Sequence, residues 1–255
     1  NGVQCTLVQV AANGCAVDSL TTYNLFDDEE ASPLGTGRRQ QYGLQVRGGT
    51  ENIRYFLHGE MEDEQGVTKM PSFAIERLRR NGTPILPEWK RPNALTKYTA
   101  RANLNLTLPG NADLAVNAGY ITQDQRLPQS DNNTTGLMSS AMGGLGYKYN
   151  IVSGDTAYGY RAYTPDAIFQ ETVTQNVDRF IGSINPNWRP AGWLALRGNF
   201  GVDFTNYVDS DLCRFGQCSD FGTQRLGFKT DNRTTRYAYT ADVGATGTFQ
   251  LTDAI

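Results

Sequence analysis

Apolar and polar residues alternate along this chain with a period of two, the signature of strands that keep one face away from water. Residues 41–47 put Tyr42, Leu44 and Val46 on one side and Gln41, Gln45 and Arg47 on the other. Residues 53–60 set Ile53, Tyr55 and Leu57 against Arg54, His58 and Glu60, with Phe56 as an exception. The cleanest run is 97–108, where Tyr98, Ala100, Ala102, Leu104, Leu106 and Leu108 oppose Lys97, Thr99, Arg101, Asn103, Asn105 and Thr107. Residues 113–121, 193–205 and 236–249 repeat it, and 177–186 does so less regularly. The pattern predicts seven strands, and no stretch has a helical period.

The connections carry as much information as the strands. Turns at 48–52 and 109–112 are tight, and 187–192 is nearly so, whereas the segments near 62–96, 122–176 and 206–235 are long. Short and long connections alternate, as in an up-and-down transmembrane barrel with short periplasmic turns and long extracellular loops. Loops beyond ~12–15 residues are uncommon in a compact soluble domain. A soluble β-sandwich would also alternate, but its turn signals recur about every 8–12 residues. The expected fold is therefore all-β, an antiparallel transmembrane β-barrel. Residues 1–40 are expected to form an extracellular loop segment and 41–255 a partial barrel.

Aromatic residues sharpen that expectation. Tyr42, Tyr98, Tyr120, Phe204, Tyr237 and Tyr239 sit on the apolar faces toward the long-loop ends, and Trp188 and Trp193 flank a short turn at the other end. Amphipathic rings favour the two membrane–water boundaries, which gives two girdles. The opposite face, expected to line the lumen, carries Arg47, Arg54, Arg101, Arg197 and Arg236 with Asp113, Asp203 and Asp242.

Composition narrows the function classes. A mean hydropathy of −0.48 with 39% hydrophobic residues leaves no run of roughly 20 apolar residues for a membrane helix. A net charge of −3 with scattered basic residues gives no footprint for nucleic acid. The chain opens without Met or a leader and stops within QLTDAI, so it reads as an excerpt of something longer. At about 36 residues per strand, a 22-stranded barrel of the plugged-transporter class would need roughly 800 residues.

Little in the sequence suggests catalysis or metal binding. The single histidine, His58, falls midway along a strand and reads as a polar wall residue. Asp27-Asp28-Glu29-Glu30 lacks the alternating ligands and glycine of a calcium loop. No metal and no cofactor are expected. Cys5 with Cys15 and Cys213 with Cys218 lack metal-finger spacing and lie among loop-forming residues, so two local disulfides are expected, against four free thiols. Asn132-Asn133-Thr134 and Asn232-Arg233-Thr234 match glycan-acceptor patterns. The loop stretch GYKYNIVSGDTAYGYRAYTPD is the best ligand candidate: Tyr147, Tyr149, Tyr158, Tyr160 and Tyr163 could stack on sugar rings, with Arg161 as a polar partner. The competing reading is that these rings pack the loop against itself.

Three segments resemble a known family. RRQQYGLQVRGGTENIRYFLHGEMEDEQGV, RFIGSINPNWRPAGWLALRGNFGVDFTN and TTRYAYTADVGATGTFQLTD are similar to the barrel of SusC/RagA-like TonB-dependent outer-membrane transporters. Gly48, Gly49, Thr50, Tyr55, Phe56, Gly59, Asp63 and Gly66 match that family's hairpin. Trp188, Trp193, Arg197, Gly201, Asp203 and Phe204 match its later strand pair. The resemblance implies a 22-stranded barrel with a plug, energised by the TonB–ExbB–ExbD system and lidded by a SusD-like surface lipoprotein. It implies import of oligosaccharide or peptide fragments. A receptor for siderophores or cobalamin, or a surface barrel that transports nothing, are the alternatives.

Overall fold

The computed structural model describes residues 5–129 and 133–250. Among these, the long elements are seven strands: β1 Arg38–Gly49, β2 Ile53–Gln65, β3 Ala94–Leu108, β4 Ala112–Leu127, β7 Thr172–Ala191, β8 Leu194–Cys213 and β9 Phe228–Gly247. They form one antiparallel sheet in the order β1-β2-β3-β4-β7-β8-β9. The numbers 5 and 6 belong to a separate two-residue hairpin, β5 Ile151–Val152 with β6 Asp155–Thr156, inside the β4–β7 connection. Short helix α1 Leu7–Ala11 precedes β1, and short helices α2 Ser72–Arg80, α3 Pro87–Lys90, α4 Leu137–Met142 and α5 Pro165–Ile168 occupy the connections. No described helix is long and apolar enough to cross a membrane.

The turn between β1 and β2 is fixed by Gly49, whose φ of +144° is open to glycine and whose absent Cβ would collide with the Ile53 carbonyl. The Thr50 N–H donates to that carbonyl at 2.6 Å and closes the hairpin. Asn111, at φ +59°, follows Gly110 in the β3–β4 turn, as the αL tolerance of Asn allows.

The strands run further than alternation indicated. β7, β8 and β9 each span 20 residues, far beyond the ~9–11 that cross a bilayer. The long connections are correspondingly 66–93, 128–171 and 214–227 rather than 62–96, 122–176 and 206–235. The segment 187–192 was expected to be a turn. It continues β7 through a register shift between Trp188 and Ala191, and the turn falls at Gly192-Trp193. Pro190 has no N–H for the ladder, which suits it to that irregular position.

The buried core lies outside the sheet. Leu25 and Ala31 from the N-terminal segment pack with Met70, Phe73, Leu78 and Trp89 of the 66–93 connection. Leu137, Ala141, Tyr160, Ile168 and Phe169 of the 128–171 connection complete the cluster. The N-terminal segment and the connections 66–93 and 128–171 therefore fold together into a cap, which includes helices that the sequence pattern did not predict. Amphipathic α2 turns Phe73, Ala74 and Leu78 inward and ends on Arg77, Arg79 and Arg80, favourable charges for a helix C-terminus.

Two long-range clamps hold the cap. The Arg77 guanidinium donates to Asp166 Oδ1 at 3.1 Å, to Thr164 Oγ1 at 2.8 Å and to the Thr156 carbonyl. Lys148 reaches Asp28 at 2.7 Å and Glu30 at 2.8 Å.

Candidate functional site

The pairing register divides the sheet into two chemically distinct faces, since residues directly opposite on neighbouring strands point the same way. On one face a continuous row reads Leu57, Ala102, Ala118, Gly182, Val202 and Tyr239 across six strands. Toward the long-loop end, Tyr120, Phe180, Phe204 and Tyr237 stand side by side across four strands. Tyr42, Met61 and Tyr98 extend this border one residue pair further along β1 to β3. At the short-turn end, Trp188 donates to the Gly110 carbonyl at 3.2 Å, and Trp193 packs 5.3 Å from Phe249.

Between the borders, Leu194 to Phe204 rises about 34 Å along β8, or about 26 Å along a membrane normal at a tilt near 40°. That matches an apolar band about 25 Å tall. Among the described residues nothing covers this face: Tyr239 and Val243 are each 75% exposed. A single sheet cannot bury its own apolar face in water, so the face calls for a cover of lipid or of further protein.

The other face is polar. Arg47, Arg54, Arg101, Arg197, Asp203, Arg236 and Asp242 all belong to it by register. The face is knit by cross-strand hydrogen bonds, including Thr107 to Asp113 at 3.1 Å and Asn117 to Ser183 at 3.1 Å. Asp203 receives both Nε, at 2.9 Å, and Nη2 of Arg179. Arg179 was not among the residues expected from sequence. It falls in the irregular run 177–186, where Ile181 faces the polar side and Asp178 the apolar side. Tyr120 satisfies Asp178 with a 2.9 Å hydrogen bond at the upper border. His58 lies on the polar face, its Nε2 4.0 Å from Glu60, and belongs to no nucleophile–base arrangement.

The loop tyrosines divide into two groups. Tyr160 is 0% exposed and donates to the Ala31 carbonyl at 2.9 Å. It is a core residue, which corrects its assignment as a ligand-stacking group. Tyr158 stacks on Phe73 with centroids 4.3 Å apart, and Tyr163 packs on the core while donating to the Asp220 carbonyl at 3.3 Å. Their faces are occupied by protein too. Tyr147 and Tyr149 remain exposed and meet edge to face at 6.0 Å. Arg161 is exposed, its side chain lying beside Gly143 at the end of α4.

Asp28 and Glu30 serve as counter-charges for Lys148, whose ammonium their hydrogen bonds hold well above the usual lysine range. Two of the four acidic residues at 27–30, Asp28 and Glu30, therefore help to hold the cap. Among the described residues no group of three or more His, Cys, Asp or Glu is arranged to hold a metal. Cys5–Cys15 and Cys213–Cys218 are disulfides, with Cα separations of 5.6 and 6.1 Å. Asn132 lies outside the described residues, and Asn232 is an exposed residue of β9.

No protein-family model matches the sequence, and no curated protein matches it. Solved structures do. The RagAB peptide importer in its closed-closed state matches with a TM-score of 0.63 at 15% identity, over 91% of this chain and 25% of that one. The RagAB peptide transporter gives 0.62 at 13% identity, and the importer's open-open state 0.63 at 14%, with the same coverage. These are transport proteins and not enzymes. The chain spans about a quarter of the length of the transporter chain it matches, and its fold is that of a portion of a β-barrel transporter.

Proposed function

We propose that this chain forms about seven strands of a SusC/RagA-like TonB-dependent barrel in a bacterial outer membrane, importing peptide or oligosaccharide fragments without chemical change. The observation that carries the reading is the unbroken apolar face, bordered by an aromatic row at the long-loop end and by Trp188 and Trp193 at the short-turn end, and backed by a polar face. The sequence motifs of the β1–β2 hairpin and the β7–β8 pair agree with it, as does the fold shared with a peptide importer. In this reading Arg47, Arg54, Arg101, Arg197, Asp203, Arg236 and Asp242 line the lumen. They keep it hydrated and offer solvated charges, each pair contributing about 0–1 kcal/mol, to a removable plug.

The cap lies on the cell-exterior side, where a SusD-like lipoprotein would meet it, and TonB–ExbB–ExbD would supply energy from the inner membrane. Tyr147 and Tyr149, rather than the packed rings of Tyr158, Tyr160 and Tyr163, are the residues with free faces for cargo.

The test is uptake of labelled peptides and oligosaccharides by cells carrying the full-length protein, with and without functional TonB. Uptake of at least one class should depend on both. Uptake that persists without TonB, or that never depends on this protein, would refute the reading. Replacing Tyr147 and Tyr149 together by Ala should weaken capture of the imported class without lowering the amount of assembled barrel. Unchanged uptake would remove these two rings from the cargo path.

A further inference from the structure

Phe56 breaks the alternation of β2, because its place in the strand sets it on the polar face with Arg54 and His58. The register surrounds it with cations. Arg47 of β1 stands directly opposite on one side, and Asn103 of β3 on the other. Arg54 is two residues away on the same strand, and Arg101 lies opposite His58 in the next row. The Phe56 and His58 rings are parallel within 10°, their centroids 6.4 Å apart. Cation–π contacts among the described residues fall at Phe73 and Tyr158, so no arginine stacks on Phe56.

The three arginines have no counter-charge. Among the described residues, Arg47, Arg54 and Arg101 enter no ion pair and no side-chain hydrogen bond, and all three are exposed. Other cations of the same face are matched: Arg179 holds Asp203, and Arg39 and Lys97 share Glu62 at 2.6 and 2.8 Å. The acids of this face on β2, Glu60, Glu62 and Glu64, all stand on the long-loop side of His58. Glu60 is diagonal to Arg101 but reaches 4.0 Å from His58 Nε2 instead. Toward the short turns, Asp113 accepts a hydrogen bond from Thr107. Neighbouring like charges on one face repel. A carboxylate at each guanidinium would replace that repulsion with a charge-assisted, bidentate contact.

Their spacing points to the shape of the ligand. Arg101, Arg47 and Arg54 occupy three successive rows of the face, about 7 Å apart because same-face residues recur at every second position. Each side of an extended peptide has the same repeat, so acidic side chains at alternate positions come into step with the rows. Phe56, in the middle row, offers an apolar surface between them, and the Asn103 amide can both donate to and accept from a peptide backbone.

We propose that Arg47, Arg54 and Arg101, with Phe56 between them, form a binding site on the lumen wall for an extended acidic peptide. The site rests on the reading of the polar face as the wall of an import path, and it adds a charge preference to that reading.

The test is binding to the purified full-length protein in detergent, where TonB plays no part. The probe is a fluorescent hexapeptide, blocked at both ends, with glutamate at every second position. It should bind about tenfold more tightly than its glutamine counterpart, the margin between charge-assisted and neutral hydrogen bonds. Arg47→Gln with Arg101→Gln should abolish that preference, whereas Arg38→Gln, on the opposite face of β1, should leave it intact. Arg47→Glu with Arg101→Glu should favour the lysine counterpart instead, a gain that a misassembled barrel could not produce. Equal binding of the glutamate and glutamine peptides would overturn the proposal, in favour of an acidic segment of the plug as the partner of these arginines. A glutamate preference that survives Arg47→Gln with Arg101→Gln would place the site elsewhere. An oligogalacturonate that binds more tightly than the glutamate peptide would replace the peptide by an acidic glycan. TonB-dependent uptake without any charge preference in binding would remove this site alone, and charge-selective binding without uptake would remove the transport reading and leave the site.

Discussion

Asn103 and Leu104 are neighbours in sequence and opposites in environment. Asn103 belongs to the polar row with Asn117 and Ser183, and Leu104 to the apolar row with Val116 and Ile184. An arginine on a lipid face near the bilayer midplane costs about 2–4 kcal/mol, and on a lumen face much less. Leu104→Arg should therefore reduce assembled, heat-resistant barrel in the membrane severalfold, and Asn103→Arg should leave it near the native level. Equal losses in both would mean that the two faces have been exchanged or that neither meets lipid. Single-residue facing of this kind was legible in the sequence because period-two alternation reports it directly. The roles of the loop tyrosines were not. Tyr149 and Tyr160 look alike in a run without periodicity, and only the fold turns one outward and seats the other beneath Ala31. Tyr160→Ala should cost about 3–5 kcal/mol, the range for losing a buried aromatic ring. It should make the 128–171 connection protease-sensitive while the strands stay assembled, and a cap that remains resistant would contradict its place in the core.

At the scale of elements, strand number and order were readable and strand length was not. Alternation ends where one face stops meeting lipid, and above the Phe204 border both faces of β8 turn polar through Asn206, Asp209 and Ser210. The ladder nonetheless continues to Cys213 opposite Phe228. Backbone pairing needs no hydrophobic pattern once a neighbouring strand provides the register. The helix α2 was missed for a related reason: nine residues with Phe73, Ala74 and Leu78 inward are too few for a helical period to emerge. Its link to the rest of the cap is equally invisible locally, since Arg77 finds Asp166 89 residues later. Arg77 is nearly buried and satisfies three acceptors. Arg77→Ala should therefore destabilise the cap by about 3–5 kcal/mol, the cost of stranding one partner of a buried pair. Faster proteolysis at both 66–93 and 128–171 would show it, whereas cleavage confined to one connection would mean that the clamp does not couple them.

The described residues combine one large sheet, exposed on both faces, with a small well-packed cap, an arrangement that the proposed barrel explains by lipid against the apolar side. The buried core lies in the loops and the N-terminal segment rather than against the sheet. The most direct test of this account is an accessibility scan along β3. Single cysteines at each position from 97 to 108 of the full-length protein, in membranes, would carry a spin label read against a lipid-soluble and a water-soluble relaxer. Positions 98, 100, 102, 104, 106 and 108 should respond to the lipid-soluble reagent, and 97, 99, 101, 103, 105 and 107 to the water-soluble one or to neither. A scan without alternation, or even-numbered positions shielded from lipid by protein, would contradict the transmembrane barrel and with it the proposed transport.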